Sequence, residues 1–176
     1  MRTSAFILAS ALLLSACSSA PEPTASPSDI ATTSSASATA AVGDASAYTV
    51  SSDTSAKPTI DVAAGAGNVQ NLIVKDIVEG SGAAVQATDN VTVNYVGIGA
   101  LSHQQFDASW DAGTTASFPL NGVILGWQQG LVGMKVGGRR LLVIPGDLAY
   151  GANPPSGSGI QANETLIFVV DLVSIP

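Results

Sequence analysis

Aromatic residues are few in this chain, and most of them lie in one region whose residue types suit a binding pocket. Aromatic side chains make up 5% of the 176 residues, yet the stretch from Phe106 to Phe168 holds two Trp, one Tyr and three Phe. Such rings can line a small, dry, apolar cup. A cup of this kind suits a proline ring, and the chemistry it favours is rotation about the peptide bond before proline.

Rotation about an X-Pro bond requires no nucleophile, metal or proton donor. The bond isomerises slowly because rotation must break the C–N conjugation against a barrier of roughly 18–20 kcal/mol. Water stabilises the polar planar state, whereas the twisted state is less polar, so a site that excludes water favours the twisted state. This chemistry agrees with a chain that has one His and one Cys.

The composition argues against several other classes of site. The formal net charge is −7 with only six Lys and Arg, so no basic face for nucleic acid can form. Cys17 is the only cysteine and His103 the only histidine, which excludes Cys₄ zinc sites, CxxC redox pairs and motifs with two His ligands. A Ser-His-Asp triad would need His103, but no Gly-x-Ser-x-Gly turn accompanies it. We therefore expect no cofactor and no nucleic-acid partner.

The amino terminus has the layout of a secretory signal. A short basic start precedes an apolar run from Ala5 to Leu14, which is too short to span a bilayer as a mature helix. The residues Leu14-Ser15-Ala16-Cys17 resemble the lipobox of bacterial lipoproteins, in which the cysteine receives a diacylglycerol and the chain is cut before it. We predict a signal peptide over 1–16 and a lipid anchor at Cys17, on the extracytoplasmic face of a membrane in a bacterial cell envelope. An ordinary signal peptide and a buried structural thiol are the alternatives.

The segment that follows, residues 17–56, is predicted to be a disordered tether that begins with the lipidated cysteine. From Ser18 to Ala56, 30 of 39 residues are Ala, Ser, Thr or Pro, and nothing recurs at a helical or strand period. Such a composition cannot bury enough apolar surface to offset the entropy of ordering. A glycosylated Ser/Thr stalk is the alternative.

The composition changes at Lys57, and residues 57–176 have the size of one domain. Runs of apolar and alternating residues predict strands over Leu72–Val78, Val91–Val96, Arg139–Ile144 and Thr165–Val173. A short helix is predicted from Val123 to Leu131, because Val123, Trp127 and Leu131 recur at i, i+4 and i+8. These elements predict an α+β fold in which an antiparallel sheet curls over one helix.

Several short segments in a fixed order carry a family resemblance. They are Phe106-Asp107, Val123-Ile124-Leu125-Gly126-Trp127, Gly133-Met134-Lys135-Val136-Gly137, Asp147-Leu148-Ala149-Tyr150-Gly151 and Thr165-Leu166-Ile167-Phe168. Each segment is weak alone, but their order is specific. The region resembles the FK506-binding-protein (FKBP) type of peptidyl-prolyl cis–trans isomerase. The resemblance implies a half-barrel of antiparallel strands around one short helix, and an enzyme that needs no cofactor.

The resemblance also implies roles for individual residues. Trp127 would form the pocket floor, and the walls would be Tyr95, Phe106, Val123, Ile124 and Phe168. Tyr150 would offer its hydroxyl to a substrate carbonyl, the backbone N–H of Ile160 would offer a second hydrogen bond, and Asp107 would lie at the pocket edge. Proline-containing polypeptides are the implied substrates, and macrolides of the FK506 and rapamycin type are the implied ligands.

The chain departs from the family pattern mainly in the loop Asp111–Ser117. Ala112 stands where relatives commonly carry Arg, so Asp107 lacks its usual cationic partner. Ala116 stands where many carry an aromatic residue, and Ile160-Gln161-Ala162-Asn163 where the family often has Ile-Pro-Pro-Asn. We predict an isomerase that acts on exported or cell-envelope proteins. The alternative is a non-catalytic chaperone or scaffold of the same fold that binds apolar or proline-containing segments.

Overall fold

The structure, a computed structural model, describes residues 44–176. In this range a six-stranded antiparallel sheet is accompanied by a two-stranded hairpin and two short α-helices. The strands are β1 (Tyr48–Val50), β2 (Ile60–Val62), β3 (Ile73–Val78), β4 (Asn90–Gly99), β5 (Gln105–Ala108), β6 (Ala116–Pro119), β7 (Arg139–Ile144) and β8 (Leu166–Ser174), and the helices are α1 (Ser109–Ala112) and α2 (Leu125–Leu131). The predicted α+β architecture is confirmed. No helix in this part of the chain is long and apolar enough to cross a membrane.

The long strand β4 organises the sheet, whose order is β3–β7–β8–β4–β5 with β6 also paired to β4. One edge of β4 pairs with β8 along most of its length. The other edge is shared, because β6 pairs with residues 90–93 and β5 with residues 96–98. The short helix α1 joins these two strands.

Both faces of the central strands are buried. Alternate residues of β8, among them Phe168 and Val170, pack in one apolar cluster with Trp127 and Leu131 of α2, as their alternation predicts. The intervening residues of β8 belong to a second cluster on the opposite face, which we call the back of the sheet. Strands that are covered on both faces have nearly continuous apolar sequences, which explains the weak alternation of β7 and β8.

The back of the sheet is covered by a hairpin from the segment predicted to be a tether. Strands β1 and β2 pair antiparallel, and Tyr48 is only 3% exposed in the cluster that contains Val96, Leu141 and Val169. The prediction of disorder over 17–56 therefore does not hold for residues 44–56, and the ordered domain begins before Lys57. Composition misleads here because a few apolar residues are enough to order a segment that docks on an apolar sheet. The signal peptide, Cys17 and the rest of the predicted tether lie outside the described residues.

Arg139 fastens this hairpin to the sheet. Its fully buried guanidinium donates to Asp171 through Nε at 2.5 Å and Nη2 at 2.8 Å. The same group donates to the carbonyls of Ser51 at 2.9 Å and Ala56 at 2.8 Å. A buried charge is tolerated when it is paired and its other donors are satisfied, as they are here. Hydrogen bonds therefore hold the segment between β1 and β2 in addition to apolar contact.

Helix α2 lies against β7 with glycines at the contact. A Cβ added at Gly130 would lie 2.6 Å from Cδ2 of Leu142, and one added at Gly126 would overlap Ile144. The glycines lower helix propensity but allow this close approach. The helix begins at Leu125 rather than at the predicted Val123, because Ile124 has extended backbone and serves as the N-cap.

Candidate functional site

A cavity of about 330 Å³ lies between α2 and the strands β4, β5, β6 and β8. It is lined by Tyr95, Phe106, Asp107, Phe118, Gly122, Val123, Ile124, Trp127, Tyr150 and Phe168. The structure thus brings together every residue predicted for the floor and the walls, and Asp107 and Tyr150, which were also predicted as site residues, line the same cavity. Strands β4, β5, β6 and β8, helix α2 and the loop after β7 each position part of this lining.

Trp127 lies at the centre of the aromatic lining. Its ring is 4% exposed and meets three others edge to face, at centroid distances of 5.5 Å to Tyr95, 5.9 Å to Phe118 and 5.4 Å to Phe168. Each such pair contributes about 0.5–1.5 kcal/mol beyond the burial of area. The buried indole N–H finds no acceptor within residues 44–176. Packing from three sides therefore holds this ring in place.

The wall of the cavity formed by Phe106 and Phe168 packs directly on the backbone of Gly97 in β4. The rings of Phe106 and Phe168 meet edge to face at 5.5 Å. A Cβ added at Gly97 would lie 2.7 Å from Cζ of Phe106 and 2.8 Å from Cε1 of Phe168. The absence of a side chain at this position allows both rings to lie directly over the strand.

The two tyrosines of the cavity differ in what their hydroxyls do. Tyr95 donates its hydroxyl to Oδ2 of Asp107 at 2.6 Å, and burial together with this bond raises the pKa of Tyr95 far above its ordinary value. Burial and the negative charge of Asp107 also raise the pKa of Tyr150. Both phenols are therefore protonated at neutral pH. The Tyr150 hydroxyl has no partner among the described residues, and its side chain is 38% exposed, so this is the donor available to a ligand.

Ile160 lies apart from the lining residues. Its side chain is half-buried against the cluster that contains Trp127. Its N–H donates to Oγ of Ser158 at 3.3 Å, which is a long hydrogen bond. The predicted bond from this N–H to a substrate stays a prediction, and it would require Ser158 to be displaced.

Phe118 and Gly122 line the cavity but were not predicted as site residues. Phe118 lies on β6, where its ring meets Tyr95 at 6.1 Å in addition to Trp127. The signal for it is the period of two along the strand, which puts Ala116 and Phe118 on the same face. Phe118 therefore provides an aromatic wall on the face of β6 that also carries Ala116.

Another residue that was not predicted, Glu164, holds together two loops of the domain. Its buried carboxylate accepts the backbone N–H groups of Leu101 at 3.1 Å, Ser102 at 3.4 Å and Gln161 at 2.8 Å. These bonds tie the turn between β4 and β5 to the loop that leads into β8. Within residues 44–176, no group of three or more His, Cys, Asp or Glu side chains could hold a metal ion.

The part of the chain that contains the cavity is similar to known proteins. Residues 82–173 match the family described as FKBP-type peptidyl-prolyl cis-trans isomerase. A probable FK506-binding protein of Corynebacterium glutamicum is 47% identical over 119 residues, which are 67% of this chain and 98% of that protein. An FK506-binding protein of Streptomyces anulatus is 49% identical over 121 residues, which are 68% of this chain and 97% of that protein. The crystal structure of FkpA from Escherichia coli superposes with a TM-score of 0.56 at 38% identity, covering 63% of this chain and 52% of that one.

Proposed function

The chain belongs to the FKBP-type peptidyl-prolyl cis–trans isomerase family, and on that premise we propose that its aromatic cavity receives the proline of X-Pro segments in exported or cell-envelope polypeptides. The observation that carries this proposal is the cavity itself. Its volume of about 330 Å³ is at the small end of ligand pockets, and its lining is apolar except for a few polar groups. A proline ring is small and apolar enough to enter such a space.

The cavity would lower the barrier to rotation by excluding water. The planar amide is the more polar state and loses more stabilisation than the twisted state when solvent is removed. Trp127 and the rings around it form a fixed apolar surface on which the proline ring would rest. No covalent step or proton transfer is needed, because only a rotation separates the two isomers.

Tyr150 would hold the substrate by donating its free hydroxyl to a carbonyl beside the proline. One neutral hydrogen bond contributes about 1 kcal/mol, so Tyr150→Phe should lower kcat/KM by about tenfold or less in a proline-isomerisation assay on the purified protein. Tyr48→Phe is the matched control, since it removes a hydroxyl from the back of the sheet. Equal kinetics for the two variants would show that Tyr150 does not bind substrate. A parent protein that does not exceed the uncatalysed rate would overturn the proposal for the cavity.

The apolar lining also fits a macrolide of the FK506 type. Two of the similar proteins are named FK506-binding proteins, and the lining residues here have the character that such a ligand requires. We expect FK506 to inhibit the isomerase competitively with peptide. Inhibition that does not weaken as peptide concentration rises would argue against a shared site.

Localisation is proposed from the amino-terminal residues. The lipobox-like Leu14-Ser15-Ala16-Cys17 after an apolar run supports lipidation at Cys17 and attachment to the extracytoplasmic face of a bacterial membrane. Cys17→Ser should abolish incorporation of labelled fatty acid and move the protein from the membrane fraction to the soluble fraction. A variant that stays in the membrane fraction without lipid would contradict the anchor.

A further inference from the structure

The substrate cavity contains a carboxylate without a positive partner. Asp107 lines the cavity, and its Oδ2 accepts the hydroxyl of Tyr95 at 2.6 Å. Its Oδ1 accepts no hydrogen bond from any residue in the range 44–176, and no Lys or Arg in that range forms an ion pair with it. One oxygen of a partly solvated carboxylate is therefore free to accept a hydrogen bond from a ligand.

The cations of the domain lie elsewhere. The sequence has no Lys or Arg from residue 76 to residue 134, and this stretch provides every lining residue except Tyr150 and Phe168. Four of the five Lys and Arg in the described region are already paired with acids: Lys57 with Asp111, Lys135 with Glu79, Arg139 with Asp171 and Arg140 with Asp76.

The fifth, Lys75, lies on β3, at the edge of the sheet opposite to β5, which carries Asp107. Within residues 44–176, therefore, no Lys or Arg side chain neutralises the negative charge of Asp107 in the cavity.

We propose that Asp107 makes this isomerase prefer X-Pro segments that carry Lys or Arg within one residue of the proline. The inference rests on the proposed function, because it assumes that proline enters this cavity. A Lys or Arg side chain is long enough to reach the rim from a neighbouring position and would form a charge-assisted hydrogen bond with Oδ1. The influence of the carboxylate extends across the cavity, since its negative charge contributes to the raised pKa of Tyr150.

The preference should be modest in size. Asp107 is exposed to solvent, and ion pairs at exposed sites are weak, so we expect about a two- to fivefold change in kcat/KM, which corresponds to roughly 0.4–1 kcal/mol. The preference should also weaken as salt is added, because the Debye length falls from about 30 Å at 0.01 M to about 8 Å at 0.15 M. A purely apolar effect of the longer side chain would not depend on salt in this way.

The test compares peptides that differ only in charge. One pair has Lys or Gln before the proline and a second pair has Lys or Gln after it, and kcat/KM is measured at low and at physiological salt. Asp107→Asn removes the charge and keeps an oxygen that can accept the Tyr95 hydroxyl. Asp61→Asn, on β2 at the back of the sheet, removes an equal charge far from the cavity.

We expect a Lys-to-Gln ratio of about two to five for at least one pair in the parent and in Asp61→Asn, and a ratio near one in Asp107→Asn. Ratios that are the same in the parent and in Asp107→Asn, or near one throughout, would overturn the proposal. If no peptide is isomerised faster than in buffer, the proposed function fails. The affinities of the same peptides, measured as Kd by tryptophan fluorescence, then test the preference. Lys peptides should bind about two- to fivefold more tightly than Gln peptides in the parent and in Asp61→Asn, and equally in Asp107→Asn.

Discussion

Gly97 supports one wall of the cavity, and Gly97→Ala should reduce both stability and turnover. The new Cβ would lie 2.7 Å from Phe106 Cζ and 2.8 Å from Phe168 Cε1, whereas real Cβ atoms rarely come within 3.0 Å of another heavy atom. Phe168 is 4% exposed and also packs on Trp127, so it cannot swing away. Phe106 or the strand must move by several tenths of an ångström.

Overpacking of this kind costs about 1–3 kcal/mol. We expect the free energy of unfolding, measured in urea, to fall by an amount in this range. The displaced rings would also distort the surface that we propose to hold the proline, and because small misplacements of a substrate can reduce rates steeply, we expect kcat/KM to fall by about tenfold. Gly67→Ala is the matched control, since a Cβ at that position meets nothing within 4 Å. It should change stability by less than about 0.5 kcal/mol.

Two outcomes would refute the argument for a rigid wall. If Gly97→Ala unfolds at the same urea concentration as the parent and retains full turnover, the rings adapt without cost and the contact at β4 is unimportant. If stability falls while turnover is unchanged, the displacement of Phe106 does not affect catalysis. Phe106 is then not part of the proposed proline site.

Two further predictions concern the back of the sheet. Tyr48→Ala should cost about 3–5 kcal/mol in urea unfolding, because a buried aromatic side chain is truncated; a variant as stable as the parent would mean that the hairpin is not part of the folded core. Asp171→Asn should cost about 3–5 kcal/mol, because it leaves the Arg139 guanidinium buried without its counter-charge, and it should speed proteolysis between residues 51 and 56. A loss below about 1 kcal/mol with unchanged proteolysis would contradict the account of Arg139 as the fastening of the hairpin.

The lining of the cavity could be predicted from the sequence to a large extent, because the order of short segments indicates it. Tyr95, Phe106, Trp127 and Phe168 meet in one cavity as expected. Phe118 could have been identified from the alternation of β6, since a residue two positions from a wall position lies on the same face. The bond that occupies the N–H of Ile160 had no such signal, because it depends on the path of a loop.

The hairpin could not be predicted from composition. Its residues form only a short apolar pattern in a segment rich in Ala, Ser and Thr. The apolar area that such a pattern can bury by itself does not offset the entropy lost when the segment becomes ordered. What orders it is the back of the sheet, with Val96, Leu141 and Val169, and the carbonyl-binding Arg139, all remote in sequence. Tertiary contacts of this kind override local propensity, and the sequence of the segment itself does not indicate them.

The hairpin and the cavity lie on opposite faces of the sheet. Tyr95 and Val96 are neighbours on β4, yet the first lines the cavity and the second packs under Tyr48. The described chain therefore starts, with the segment Ala45–Val50, on the side of the sheet opposite to the cavity. The amino-terminal hairpin and a polypeptide bound in the cavity would therefore contact opposite faces of the sheet.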